Sequence, residues 1–145
     1  MATGHDSATP TCRVIRSAES YVGKQGPQYT GGVSAESTGS QAIWMGLITI
    51  PPGGRTKAHY HAEHETALYM LEGIVDMWYG EQLEHYDECR AGDYIYIPAG
   101  VPHVAANRSP TSPALVVGAR TDPNEQESVV LTPELDALVP SSPPA

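Results

Sequence analysis

The chemistry of this chain is carried by histidine. Of six histidines, His59, His61 and His64 fall within six consecutive residues. His59 and His61 are separated by one residue. In an extended strand that spacing sends both side chains to the same face, about 7 Å apart along the strand. Two imidazoles so placed can converge on one ion lying between them, with the remaining ligands supplied by other strands. Imidazole suits zinc, copper, iron and nickel. A third candidate, His103, stands in the run Gly92-x5-Pro98-x-Gly100-x2-His103-x3-Asn107. Gly92 permits a tight turn into a strand, and Pro98 and Gly100 stop that strand and bend the chain. The chain then re-enters at Val101 with His103 aimed inward. His85 is a more remote candidate, and His5 lies in an N-terminal arm where it is expected to do nothing.

The elements that must position these side chains are strands. The chain of 145 residues holds 14 Gly, 13 Pro and eight Tyr but no Phe, with its hydrophobic residues in short runs. Such a composition reads as all-β. Residues 1–11 are small and polar, a flexible arm. Cys12–Arg16 could form a first strand, and residues 23–41 read as loop. Ala42–Ile50 is a strand apolar on both faces, as expected of a sandwich whose outer face meets a second sheet or a second subunit. Pro51-Pro52-Gly53-Gly54 ends it. Further strands are expected at Lys57–His61, Ala67–Leu71, Ile74–Tyr79, Leu83–Cys89, Tyr94–Ile97, Val101–Ala106 and Ala114–Ala119. The turn at Glu72-Gly73 joins the second and third of these as a hairpin. Strands recur every 8–12 residues from about 42 to 119, the rhythm of a sandwich or barrel in one domain spanning 1–145. The tail from Thr121 is rich in Pro and acid. It holds one short helix at Thr132–Leu138, with Thr132 as cap and Pro133 at the first helical position.

Charge and composition exclude several function classes. Eight basic against 17 acidic residues leave a net charge of −9, the wrong sign for nucleic acid or an anionic membrane surface. No apolar run approaches the roughly 18–20 residues of a membrane span. The N-terminus has neither the basic nor the apolar region of a secretion signal, so a cytoplasmic location is expected. Cys12 and Cys89, isolated and without CxxC spacing, read as buried free thiols. No Arg or Lys cluster accompanies the histidines, which argues against a phosphate-bearing substrate.

The two histidine stretches together match a family pattern. Gly53-x5-His59-x-His61, followed by a strand ending in Leu71-Glu72-Gly73, resembles the first cupin motif, and Gly92 through Asn107 resembles the second. The chain thus resembles a cupin, an antiparallel double-sheet jelly-roll barrel. That resemblance implies that His59, His61 and His103 are metal ligands and catalytic residues. It also exposes a departure. The position where cupins usually carry a ligand Glu is Thr66. His64 shares the inward parity of Thr66 and could fill the vacancy, making a four-histidine site. Two other readings stand beside it: His64 as a loop residue on the rim, or a bulge that turns Glu65 inward.

Four neutral imidazoles would leave the full charge on a divalent ion and favour Lewis-acid chemistry over redox chemistry. Zinc is then expected, with iron, nickel or cobalt as alternatives. Trp44, Tyr69, Met70, Trp78, Tyr94, Tyr96, Val101 and Val104 are candidates to line an apolar, aromatic pocket. The run His59-Tyr-His-Ala-Glu-His-Glu-Thr66 with Leu83-Glu84-His85 is similar to the cupin-type aromatic polyketide cyclases of actinomycetes, of the kind found in resistomycin biosynthesis. This likeness implies intramolecular aldol condensation and dehydration of a poly-β-ketone, a hydrophobic, carbonyl-bearing substrate. Asp76 or a Tyr is a candidate general base. The rivals are a cupin dioxygenase that cleaves a phenolic compound and a non-enzymatic small-molecule-binding cupin. A homodimer is expected from the two-faced apolar strand Ala42–Ile50.

Overall fold

Alternating apolar residues punctuated by Gly and Pro become paired strands along most of the chain. The computed structural model describes residues 10–16 and 18–140. The strands are β1 (Ser20–Val22), β2 (Gln28–Val33), β3 (Trp44–Ile50), β4 (His59–His61), β5 (Thr66–Glu72), β6 (Ile74–Tyr79), β7 (His85–Arg90), β8 (Tyr94–Ile97), β9 (His103–Asn107), β10 (Ala114–Arg120) and β11 (Val129–Leu131). A short helix α1 (Ala35–Thr38) and a 3-10 turn (Pro133–Leu138) complete the described elements. The strands form a six-stranded sheet, β1-β2-β3-β10-β5-β8, and a five-stranded sheet, β11-β4-β9-β6-β7. All strand pairs are antiparallel. The all-β double-sheet jelly roll expected from the sequence is the fold observed.

The main core lies between the sheets. Ile50, Met70, Ala114, Val116 and Ile97 from one sheet pack on Val75, Met77 and Cys89 from the other. The outer face of the five-stranded sheet is covered too. Trp78, Val104, Leu83 and Ala58 pack beneath Leu135 of the 3-10 turn. Trp78 and Val104 therefore belong to this second core and not to an inner pocket. The 3-10 turn replaces the helix expected at Thr132–Leu138, and Thr132 makes no side-chain cap.

Several expectations about elements are corrected. Cys12–Arg16 forms no strand and is exposed. Residues 23–41 are not simply loop, because β2 and α1 lie among them. Their Gly31-Gly32 pair, which reads as a turn, serves close packing. Gly31 faces Gly46 across the β2–β3 ladder, and a Cβ on Gly46 would collide with the Thr30 carbonyl and the Trp44 ring. Cys89 is buried, but Cys12 is exposed, and both thiols are free. Among the described residues the outer face of β3 meets no second sheet, since Met45 and Leu47 remain exposed. His5 and most of the arm at 1–11 lie outside the described residues. No helix among the described residues is long and apolar enough to cross a membrane.

Candidate metal centre

Two strands and two loops bring the site together. His59 and His61 point inward from β4, as one-residue spacing on a strand requires. His103, the first residue of β9, is the register partner of His59. Gly100, at φ +83°, turns the chain so that its N–H donates to the His61 carbonyl at 2.7 Å. That bond ties the second histidine motif to the first. Asn107 closes the arrangement, its amide donating to the carbonyls of Ile50, Pro51 and Ser112.

The three imidazoles are buried and crowded. Ring centroids lie 4.2 Å apart for His59 and His103, and 5.1 Å apart for each of the other two pairs. Nδ1 of His59 donates to the Lys57 carbonyl at 2.6 Å, and Nδ1 of His103 donates to the Val101 carbonyl at 3.0 Å. Each donation leaves Nε2 with its lone pair free. Burial pushes His59 down to about pKa 4. Burial, reinforced by His59 and His61, pushes His103 well below the ordinary imidazole value. Both rings are therefore neutral near pH 7, the form that binds a metal.

His64 is buried in the connection before β5, and its ring centroid is 4.6 Å from that of His61. Its Nε2 is hydrogen-bonded to Glu127 Oε1 at 2.9 Å, and its Nδ1 lies 3.6 Å from Asp122 Oδ2. Glu65 points the other way. It is exposed and accepts a hydrogen bond from the Tyr96 hydroxyl at 2.9 Å, so no bulge turns it inward. Thr66 faces inward, buried, with a hydroxyl that has no partner.

The residue that sequence reasoning missed is Glu127. It lies in the Pro- and acid-rich tail, just before β11, whose three residues pair with β4 in the register Val129↔His61 and Leu131↔His59. That pairing carries Glu127 into the site, with Oε1 3.0 Å from His61 Nδ1. Oε2 accepts from Gln25 Nε2 at 2.8 Å and lies 3.5 Å from the Arg120 guanidinium. Burial raises the Glu127 carboxyl, but His61, His64 and Arg120 outweigh it and hold the group well below the usual carboxylate range.

The donor set fits a divalent metal. Ligand atoms of His59, His61 and His103 all lie within 4.8 Å of one another, as do those of His61, His64 and Glu127. Within the first group, His59 and His103 are neutral rings whose Nδ1 atoms are anchored by backbone carbonyls. The Thr66 hydroxyl is buried without a hydrogen-bond partner, and His61 Nδ1, though 3.0 Å from Glu127 Oε1, is not well aligned for a hydrogen bond to it. Such groups are rare in native interiors and point to an unseen partner.

An inner cavity of about 70 Å³ adjoins the histidines, walled by Trp44, Met70, Met77, Ile95, Ile97 and Val116 among others. Arg120 and Glu127 line it as well. Of the aromatic residues expected there, Trp44 is present. Tyr94, Tyr96 and Val101 border instead a surface groove of about 520 Å³ between β7 and β8. Cavity and groove share His103, Met77, Ile95 and Ile97 as walls. Asp76 is not at the site. It is bound by Arg108 at 2.6 Å and by the Tyr86 hydroxyl, on the opposite face of β6 from Val75 and Met77. His85 is exposed on the edge strand β7, beside Glu84.

A family profile for the cupin domain matches residues 46–118, about half of the chain. No curated protein sequence matches the chain. Among solved structures it is similar to the oxalate decarboxylase of Bacillus subtilis, with a TM-score of 0.68 at 18% identity, covering 88% of this chain and 33% of that one. Oxalate decarboxylase of Lactobacillus farciminis gives 0.65 at 18% identity over 85% and 36%. A conserved protein with a double-stranded β-helix domain from Klebsiella pneumoniae gives 0.60 at 17% identity over 82% and 90%. The chain thus spans about a third of the length of the decarboxylases. At these identities the likeness carries the fold alone.

Proposed function

The chain belongs to the cupin family, and from that premise we propose that it is a metal-dependent polyketide cyclase. Its reaction is intramolecular aldol condensation and dehydration of a poly-β-ketone to an aromatic product. The observation that carries this reading is the group of buried, converging imidazoles, His59, His61 and His103, beside an apolar cavity. His64 is the proposed fourth ligand, which requires one of its nitrogens to release its carboxylate partner. Zinc is the metal that an all-imidazole set favours. Bound there, it supplies Lewis acidity to the paired oxygens of a 1,3-dicarbonyl and so acidifies the methylene between them.

The protein's own residues do the rest. The backbone carbonyls of Lys57 and Val101 fix the His59 and His103 rings and keep their outer nitrogens protonated. Met77, Ile95 and Ile97 form an apolar wall that excludes water and holds the folded chain with its reacting carbons close. The inner cavity of about 70 Å³ is too small for a polyketide, so the substrate occupies the groove of about 520 Å³ that shares His103 as a wall. Condensation forms one carbon–carbon bond, moves the methylene proton to the accepting carbonyl oxygen, and then loses one water.

A second reading, a dioxygenase acting on a phenolic substrate, draws on Glu127. A carboxylate beside histidines is what oxygen-activating ferrous sites use. A small dicarboxylate such as oxalate fits less well. Arg120, the cation lining the cavity, is engaged with Glu127 and with the carbonyls of Asn124 and Glu125. Metal analysis of the purified protein with an oxygen electrode separates the readings. Stoichiometric zinc without oxygen consumption supports the cyclase. Iron, nickel or copper with oxygen uptake on a phenolic compound overturns it. Zinc-loaded protein that binds a bis-1,3-diketone without converting it marks a non-enzymatic binder.

A further inference from the structure

Glu127 is a buried carboxylate, and an ion without partners in a protein interior is strongly disfavoured. Its surroundings show what it holds. Oε1 lies 2.9 Å from His64 Nε2 and 3.0 Å from His61 Nδ1, while Oε2 accepts from Gln25 Nε2 and faces Arg120. Both oxygens are engaged before any ligand arrives. The outer nitrogens of His59 and His103 are anchored by backbone carbonyls. Among the described residues His61 has no such carbonyl, and the acceptor set beside its Nδ1 is Glu127 Oε1, at 3.0 Å.

We infer that Glu127 is the positioning residue of the metal centre: it is hydrogen-bonded to His64 Nε2, holds its Oε1 3.0 Å from His61 Nδ1 so that this ring presents Nε2 to the other imidazoles, and adds a negative charge beside the ligands without joining them. The observations that carry this are the shared Oε1, the engaged Oε2, and the pairing of β11 with β4 that seats the carboxylate against the two rings. Ligand-orienting acceptors of this kind raise imidazole basicity and metal affinity. The inference rests on the metal reading of the site and is independent of the cyclase reading.

The test is metal binding by the full chain. Zinc affinity is measured by competition with a chromophoric chelator, and the geometry of the site by the visible spectrum at saturating cobalt. Glu127→Gln keeps the shape and removes the charge and one acceptor. It should lower zinc affinity by about 10–100-fold and shift the cobalt bands, a change that general loss of stability does not produce once the site is saturated. Glu127→Asp, with its carboxylate withdrawn by one methylene, should recover part of the affinity. Wild-type affinity and an unchanged cobalt spectrum in Glu127→Gln would overturn the inference. So would loss of a saturable site in a folded variant, because that marks a direct ligand. If Glu127→Gln does not fold, Glu127→Asp decides: an unchanged affinity and spectrum there overturns it. Wild-type protein that binds no zinc or cobalt defeats this inference together with the metal reading. Wild-type protein that binds zinc but forms no ring defeats only the cyclase.

Discussion

His64 and Glu65 are neighbours in the chain and opposites in the fold, one buried beside His61 and the other exposed under the Tyr96 hydroxyl. Strand parity counted from the Leu71-Glu72-Gly73 turn makes that division legible from sequence. With His64 as fourth ligand, His64→Ala should lower metal affinity by more than the roughly 10–100-fold of an outer-residue change, and Glu65→Gln should leave it unaltered. Metal titration of the two variants checks this, and the reverse order of effects would refute it. The two thiols are also distinguishable. Cys12 is exposed, whereas burial pushes Cys89 up to about pKa 11. A thiol reagent at pH 8 should therefore modify one cysteine in the native protein and two in denaturant. Rapid modification of both without denaturant would show that Cys89 is accessible. The burial of Cys89 was readable from its place on an alternating strand. The exposure of Cys12 was not, because apolar residues around a cysteine do not reveal whether a sheet is there to receive them.

At the scale of elements, the bounds of β5 through β10 could be read almost residue by residue, since these strands are closed by Gly or Pro. The hairpin expected at Glu72-Gly73 is not formed: that turn carries the chain from one sheet to the other, β5 pairing with β10 and β8, and β6 with β9 and β7. The elements at the two ends of the fold could not be read in this way. In β2, Gly31 and Gly32 mimic a turn, and only tertiary packing explains them: Gly31 faces Gly46 across the ladder, and a Cβ on Gly31 would collide with the Glu125 carboxylate. Replacing Gly46 with Ala should destabilise the protein by about 1–3 kcal/mol, the range of an overpacked site. The Cβ would meet the Thr30 carbonyl, which cannot move without breaking the β2–β3 ladder. Urea unfolding measures this, and an unchanged midpoint would contradict it. β11 has three residues in a polar tail, too few to show alternation, and it is defined by its pairing with β4. Glu127 was illegible for the same reason, because a carboxylate more than 60 residues after His59, His61 and His64 in sequence becomes their neighbour only through that pairing.

For the whole molecule, the buried neutral imidazoles tie stability to pH. The unfolded chain takes up a proton on His59 near pH 6.5, and the folded chain near pH 4. Between those values the unfolded state binds more protons, so stability falls as pH falls. For metal-free protein His59 alone accounts for on the order of 3 kcal/mol. Below the ordinary carboxyl range Glu127 acts in the same direction, since its folded-state value is depressed. The urea midpoint of chelator-treated protein should be lower at pH 5 than at pH 7, and equal midpoints would contradict the burial of neutral His59. The outer face of the six-stranded sheet leaves Met45, Leu47, Tyr94 and Tyr96 exposed. A homodimer across this face is the arrangement that the two-faced apolar strand Ala42–Ile50 predicts. Light scattering at micromolar concentration should give twice the chain mass of 15.5 kDa, and the single-chain mass would exclude it.

The central claim is that the imidazole site performs Lewis-acid carbon–carbon chemistry. It is tested most directly by incubating zinc-loaded protein with a poly-β-ketone while oxygen is excluded, and following the product by mass. The account predicts an aromatic product lighter than the substrate by whole waters, formed at the same rate with or without oxygen and lost in His103→Ala. Product formed only when oxygen is present, or carrying an added oxygen atom, would contradict it.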